Sequence, residues 1–86
     1  MDYKSVADVE RNRLIVGTKQ ILRAIEEDVL DTVIVATDAD HFIKDAILSA
    51  LNDRNTELVY APSKEELGML CGIKVSAASC GIIKAD

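Results

Sequence analysis

The run Thr32-Val-Ile-Val-Ala36 limits what this chain can fold into more than any other stretch. Consecutive β-branched residues lose rotamer freedom in a helix and fit a pleated surface well. No polar residue alternates with them, so both faces of the strand need a cover. Helices on either side would supply it. The sequence offers them in both directions.

Downstream, Thr37-Asp-Ala-Asp40 ends the strand and offers caps for a helix. That helix presents Phe42, Ile43, Ala46, Ile47, Ala50 and Leu51 as one apolar stripe and stops near Asn52–Asn55. Upstream, Leu14-Ile15-Val16 reads as a strand, Thr18 to about Glu27 as a helix, and Asp28-Val-Leu-Asp31 as a turn. Residues 4–12 carry Val6, Ala7 and Val9 among charges, which predicts a short first helix. Glu57-Leu-Val-Tyr-Ala61 is a further strand closed by Pro62. Ser63-Lys-Glu-Glu66 has the form of a capping box, and its helix, with Leu67 and Leu70, ends at Gly72, a C′ glycine. The segment Ile73–Ala77 is a loop with high apolar content, and Ala78–Ile83 reads as a buried final strand. Alternating strands and helices predict an α/β fold, a three-layer α-β-α sandwich around a mixed four-stranded sheet. Residues 1–86 form one domain in this reading.

Only 3% of residues are aromatic and none is Trp, so the core must be aliphatic. No apolar run approaches the ~20 residues of a membrane span. The N-terminus lacks a signal-peptide pattern. Cys71 and Cys80 sit in apolar surroundings without metal-ligand spacing, and read as buried reduced thiols rather than a disulfide. The expected location is the cytoplasm, with no membrane partner.

The net charge of −5 argues on its face against nucleic acid. The distribution answers that objection. Residues 1–25 hold five bases against three acids, residues 26–57 nine acids against Lys44 and Arg54, and the remainder three of each. One side can therefore be basic while another is strongly acidic.

Within the basic part, Gly17 supplies a bend that no side chain obstructs, and Thr18 is a competent helix cap. At about 100° per residue, Lys19, Gln20 and Arg23 fall within one arc of roughly 100°, opposite Ile21, Leu22 and Ile25. Cationic side chains beside the free N–H groups of a helix start oppose the dipole unless a polyanion is bound. Spacing alone also fits an ordinary solvated face. Likewise Ile73–Ala77 can be a contact surface or a loop tucked under a neighbouring helix. Asp38, Asp40 and Asp45 suit helix capping and a solvated face better than Mg²⁺, and His41 reads as a surface residue. Cys71 has no base nearby in sequence, and no catalytic constellation is visible, so no enzymatic activity and no cofactor are expected.

With Gly17-Thr-Lys-Gln, Ser63-Lys, Leu67-Gly68, Cys71-Gly72-Ile73 and Ala77-Ala78 in view, the chain resembles the kink-turn RNA-binding ribosomal proteins of the large-subunit "L-seven-Ae" and "thirty-e" type. It looks most like the small bacterial members, and the resemblance runs from Leu14 to Ile83. It implies a monomeric, ribosomal protein-like binder of structured RNA, not DNA, recognising a helix bent at a bulge flanked by sheared G·A pairs. By position, Lys19 and Gln20 would enter the major groove at those pairs, with Arg23 one turn on. Gly17 and Thr18 would lie against phosphates. Lys64 matches a basic residue after the third strand, and Ile73, Lys74, Val75, Ser76 and Ala77 match a loop that packs on extruded bases. The archaeal and eukaryotic proteins have Asn-Glu where this chain has Lys19-Gln20. Lys19 can donate to guanine O6 and N7, while Gln20 accepts through an uncharged carbonyl. Asp40 stands where a family contact near the bulge is expected. The rival readings are a protein–protein scaffold of the same fold using the acidic surface and, third, a small-molecule enzyme of flavodoxin-like build.

Overall fold

β2 (Leu30–Ala36) is the hub of the computed structural model, which describes residues 1–85. It pairs parallel with β3 (Glu57–Ala61) on one side and antiparallel with β4 (Ser79–Ile83) on the other. The far edge of β4 takes β1 (Leu14–Val16), antiparallel, giving the order β1-β4-β2-β3. The sheet is therefore mixed. Every residue of β2 except Asp31 is buried, and the pairing with β4 shifts register between Leu30 and Thr32.

Because side chains alternate along a strand, that burial demands a cover on both faces. On one face, α1 (Thr18–Glu26) and α2 (His41–Leu51) bring Ile21, Ile25 and Ile47 against Val33 and Val35. On the other, α3 (Lys64–Leu70) and an N-terminal 3-10 turn, Tyr3–Asp8, bring Leu67 and Val6 against Ile34 and Ala36. Each fully buried Ile, Leu or Val contributes about 1.5–3 kcal/mol, so the two small cores together outweigh any surface ion pair. The three-layer α-β-α arrangement follows.

The amino-terminal segment differs from the expected helix. It forms two 3-10 turns, Tyr3–Asp8 and Arg11–Arg13. Val6 is the one buried residue of either turn, too little apolar surface to stabilise a short α-helix. Two arginines there are structural. Arg13 donates through Nε and Nη2 to the Ile83 carbonyl (3.1 and 2.9 Å), and Arg11 donates to the Gly72 carbonyl (3.1 Å). Phe42 also departs from its place in the apolar stripe: it is 74% exposed, in the first turn of α2 beyond the end of β2.

The α3 boundaries follow the sequence closely. Ser63 Oγ accepts from the Glu66 amide (3.0 Å). At the other end Gly72 takes φ 75°, Ile73 N–H bonds to Gly68 O (3.1 Å) and Gly72 N–H to Met69 O (3.0 Å). This pair of bonds is the Schellman ending that a C′ glycine permits.

Candidate nucleic-acid interface

Strand register decides which loops meet. Val16 lies opposite Cys80, Val35 opposite Ser79, and Ala36 opposite Ala61. The chain thus leaves β1, β2 and β3, and enters β4, at one end of the sheet. The start of α1, the Thr37–Asp40 connection, the Pro62-Ser63 connection and the loop 73–78 all gather there. Hydrogen bonds stitch them together. The Thr37 hydroxyl donates to Pro62 O (2.9 Å), Asp38 Oδ1 accepts from the Lys64 amide (2.8 Å), and Lys64 O accepts from the Ala77 amide (3.0 Å). Ala36 N–H bonds to Ala78 O and Lys44 Nζ to Thr37 O, both at 2.9 Å.

The tip of α1 is open. Gly17, at φ 114° and ψ 131°, occupies a region nearly closed to other residues and is itself the N-cap. It has no side chain to accept a bond, so the first-turn amides lack helical partners. Thr18 is thus the first helical residue, not the cap that its hydroxyl suggests. Lys19, Gln20 and Arg23 are exposed, while Ile21, Ala24 and Ile25 are buried. Among the described residues no carboxylate pairs with Lys19, Arg23, Lys64 or Lys74. The positive charge at this end is therefore available to an anion.

The loop 73–77 is held from below. A Cβ on Gly68 would collide with the Val75 carbonyl oxygen, so only a bare α-carbon lets the loop approach α3 this closely. Ile73 is half-buried against the core, and Lys74, Val75 and Ser76 face solvent, Val75 at 70% exposure. Ala77 is 3% exposed and turns inward, so its side chain offers no contact surface. The loop is both of the things its sequence allowed, tucked at its ends and exposed in its middle. Beneath it lie Cys71 and Cys80, both buried and unoxidised. The Cys80 thiol donates to Cys71 and the Arg11 guanidinium lies near, which lowers the Cys71 pKa; the same bond, with burial, pushes Cys80 far up.

Alongside α1 runs an open groove of about 790 Å³, lined by Lys19, Gln20, Arg23 and Glu27 above and by Ile15, Val29 and Ile83 below. It begins at the exposed tip and follows the sheet edge.

Sequence reasoning read Asp38 as a helix cap without showing which helix, and used Gly68 in the resemblance without its physical reason. An Asp just after a strand does signal bonding to nearby amides, but the partner it finds is 26 residues away. Gly68 carries no local signal beyond its cost inside a helix. The predicted site residues Gly17, Thr18, Lys19, Gln20, Lys64, Lys74, Val75 and Ser76 share one end of the sheet; Arg23 lies one turn along α1, and Ile73 and Ala77 face inward.

Comparison with known proteins sharpens the picture. Residues 3–86 match the profile of the ribosomal protein L7Ae/L30e/S12e/Gadd45 family. The chain is 38% identical over 84 residues to an RNA-binding protein of Geobacillus sp. (strain WCH70), covering 98% of this chain and 100% of that one. It is 36% identical over 84 residues, with the same coverage, to RNA-binding protein YbxF of Geobacillus stearothermophilus. Among solved structures, a Giardia lamblia 15.5kD RNA binding protein superposes with a TM-score of 0.79 at 27% identity, covering 98% of this chain and 69% of that one. A Bacillus halodurans C protein of unknown function shares the fold, with a TM-score of 0.84 at 19% identity over 96% of this chain and 85% of that one.

Proposed function

Because this chain belongs to the ribosomal protein L7Ae/L30e/S12e/Gadd45 family, we propose that it is a non-enzymatic RNA-binding protein that recognises kink-turns and stabilises their bent form. The observation that carries this reading is the meeting, at one end of the sheet, of an unpaired cationic helix tip and an exposed loop with an apolar member. One curved RNA surface can touch both.

Regular A-form RNA hides its base edges in a deep, narrow major groove. A kink opens that groove, and side chains on a fixed helix start can then reach the edges. Lys19 donates to guanine O6 and N7, and Gln20 accepts from a base amino group. Free amides of the first turn and Lys64 take phosphates. Val75 covers an extruded base by dispersion rather than stacking, so it contributes less than the ~1–3 kcal/mol typical of an aromatic platform. The protein favours the bent RNA because it binds that form better.

The test is a titration against a kink-turn RNA and a variant whose G·A pairs are replaced by Watson–Crick pairs, with energy transfer across the kink recording the bend. Tighter binding to the first, with bending, is the expected result. Equal affinity for both would refute the proposal.

A further inference from the structure

The charges on α1 run against its own dipole at the start, and at the end three acids outnumber the one cation the dipole favours, Arg23. Lys19 stands in the first turn, where acids are favoured, and Glu26, Glu27 and Asp28 crowd the end, where cations are favoured. Asp28 pairs with Lys84 (3.5 Å), but Lys19, Glu26 and Glu27 are exposed and take no ion-pair partner among the described residues, so the packing does not explain their charges. Lys19, Arg23 and Glu27 succeed one another at one-turn intervals along the same groove. Its row of charges therefore starts positive and turns negative, above a floor of half-buried Ile15, Val29 and Ile83.

We propose that this groove seats one sugar–phosphate strand of the RNA arm that the α1 tip enters, and that Glu27 marks where the strand must leave the protein. This rests on the RNA-binding reading above and extends it from the kink to the arm. Arg23 takes a phosphate of that strand, one turn beyond Lys19, which stays on the base edges at the mouth of the groove. The apolar floor lies against its riboses, which present carbon-bound hydrogens. At Glu27 the sign reverses, and a carboxylate facing a phosphate repels it. Lys19 to Glu27 spans about 12 Å of helix, room for only a short stretch of one strand. The contacted arm is therefore short, and the acidic turn after α1 faces RNA that has already departed. The choice of a nucleic-acid strand over a peptide rests on continuity: the groove opens directly from the exposed helix tip and shares Lys19, Gln20 and Arg23 with it.

The test is Glu27→Lys with Glu27→Gln as the charge-removal control. Glu27 is exposed, and a Lys at a helix C-terminus suits the dipole, so both variants should fold. Each protein is titrated over a salt series with two kink-turn RNAs. One carries an arm of about eight base pairs beyond the G·A pairs; the other is cut to about one or two. Glu27→Lys is expected to tighten binding of the long-armed RNA severalfold and to steepen its salt slope by about 0.7–0.9, as for one added phosphate contact. Glu27→Gln should move part of the way, and the short-armed RNA should show little change. A gain equal on both RNAs would mean general charge attraction, and no gain on either would mean another occupant such as a peptide; each overturns the inference. In both cases wild-type preference for the kink-turn would persist. Loss of that preference itself would instead refute the function proposed above.

Discussion

The α-carbon of Gly68 lies against the carbonyl oxygen of Val75 so closely that a methyl group at 68 would overlap it. Substituting Ala inside a helix ordinarily gains about 0.5–1 kcal/mol. Here the obstructing atom is backbone, which cannot rotate aside, and overpacking costs about 1–3 kcal/mol. The clash wins. Gly68→Ala should lose about 1–2 kcal/mol in denaturant unfolding. It should also weaken RNA binding, because the loop 74–76 must lift from α3.

Ser79 offers the opposite case. It is buried, and its hydroxyl has no partner among the described residues. An unpaired buried hydroxyl costs about 1–3 kcal/mol, which an Ala would not. Ser79→Ala should raise stability by about 1 kcal/mol, a Tm increase of about 4–8 °C. An unchanged or lower Tm would show that the hydroxyl is satisfied in solution.

Two arginines should separate folding from binding. Arg13 donates two bonds to the Ile83 carbonyl and so ties the first segment to β4. Bonds of this charge-assisted kind contribute about 1.5–3 kcal/mol. Arg13→Ala should lower stability by about 1–2 kcal/mol and leave the salt dependence of RNA binding unchanged. Arg23→Ala, on an exposed helix face, should change stability by less than about 0.5 kcal/mol and flatten the salt slope by about 0.7–0.9.

Discrimination and attraction should likewise divide between residues. Replacing Lys19 and Gln20 together by Ala removes groups aimed at base edges, so the preference for G·A-containing RNA should fall by about 1–3 kcal/mol. Lys64→Ala leaves the backbone bonds to Asp38 and Ala77 in place and removes only the ammonium. Binding to both RNAs should weaken equally, with a shallower salt slope. Competition titrations at several salt concentrations would read both effects.

The thiol pair predicts an alkaline weakness. Cys80 is held protonated in the folded protein by burial and by its bond to Cys71, whereas an unfolded thiol ionises near ~8.5. A raised folded pKa stabilises fully below the unfolded value and less with each step above it. Cys71 is shifted down and offsets part of this, but the buried pair gives up at most one proton where the unfolded chain gives up two. Between about pH 8.5 and 10 the Tm should therefore fall more steeply for wild type than for the double variant Cys71→Ala/Cys80→Ala, which has no thiol to titrate. Cys80→Ala alone removes the donor to Cys71, whose thiolate absorbance should then appear at higher pH.

The sequence alone determined the elements whose cause is local. The β-branched run at 32–36 dictates a strand covered on both faces, Ser63 and Gly72 bracket α3 through bonds made within a few residues, and the 3.6-residue period turns Lys19, Gln20 and Arg23 outward. Tertiary structure decided what depends on distant partners. Phe42 fits the apolar stripe by spacing, yet in space the stripe begins beyond the sheet and leaves it exposed. Ala77 turns inward because its amide is bound to Lys64 O, Asp38 serves a helix 26 residues away, and Arg11 and Arg13 spend their charge on carbonyls near the other end of the chain. Periodicity reports which side of an element is apolar; only strand register reports what that side meets, and here register alone draws the α1 tip and the loop 74–76 to the same end of the sheet.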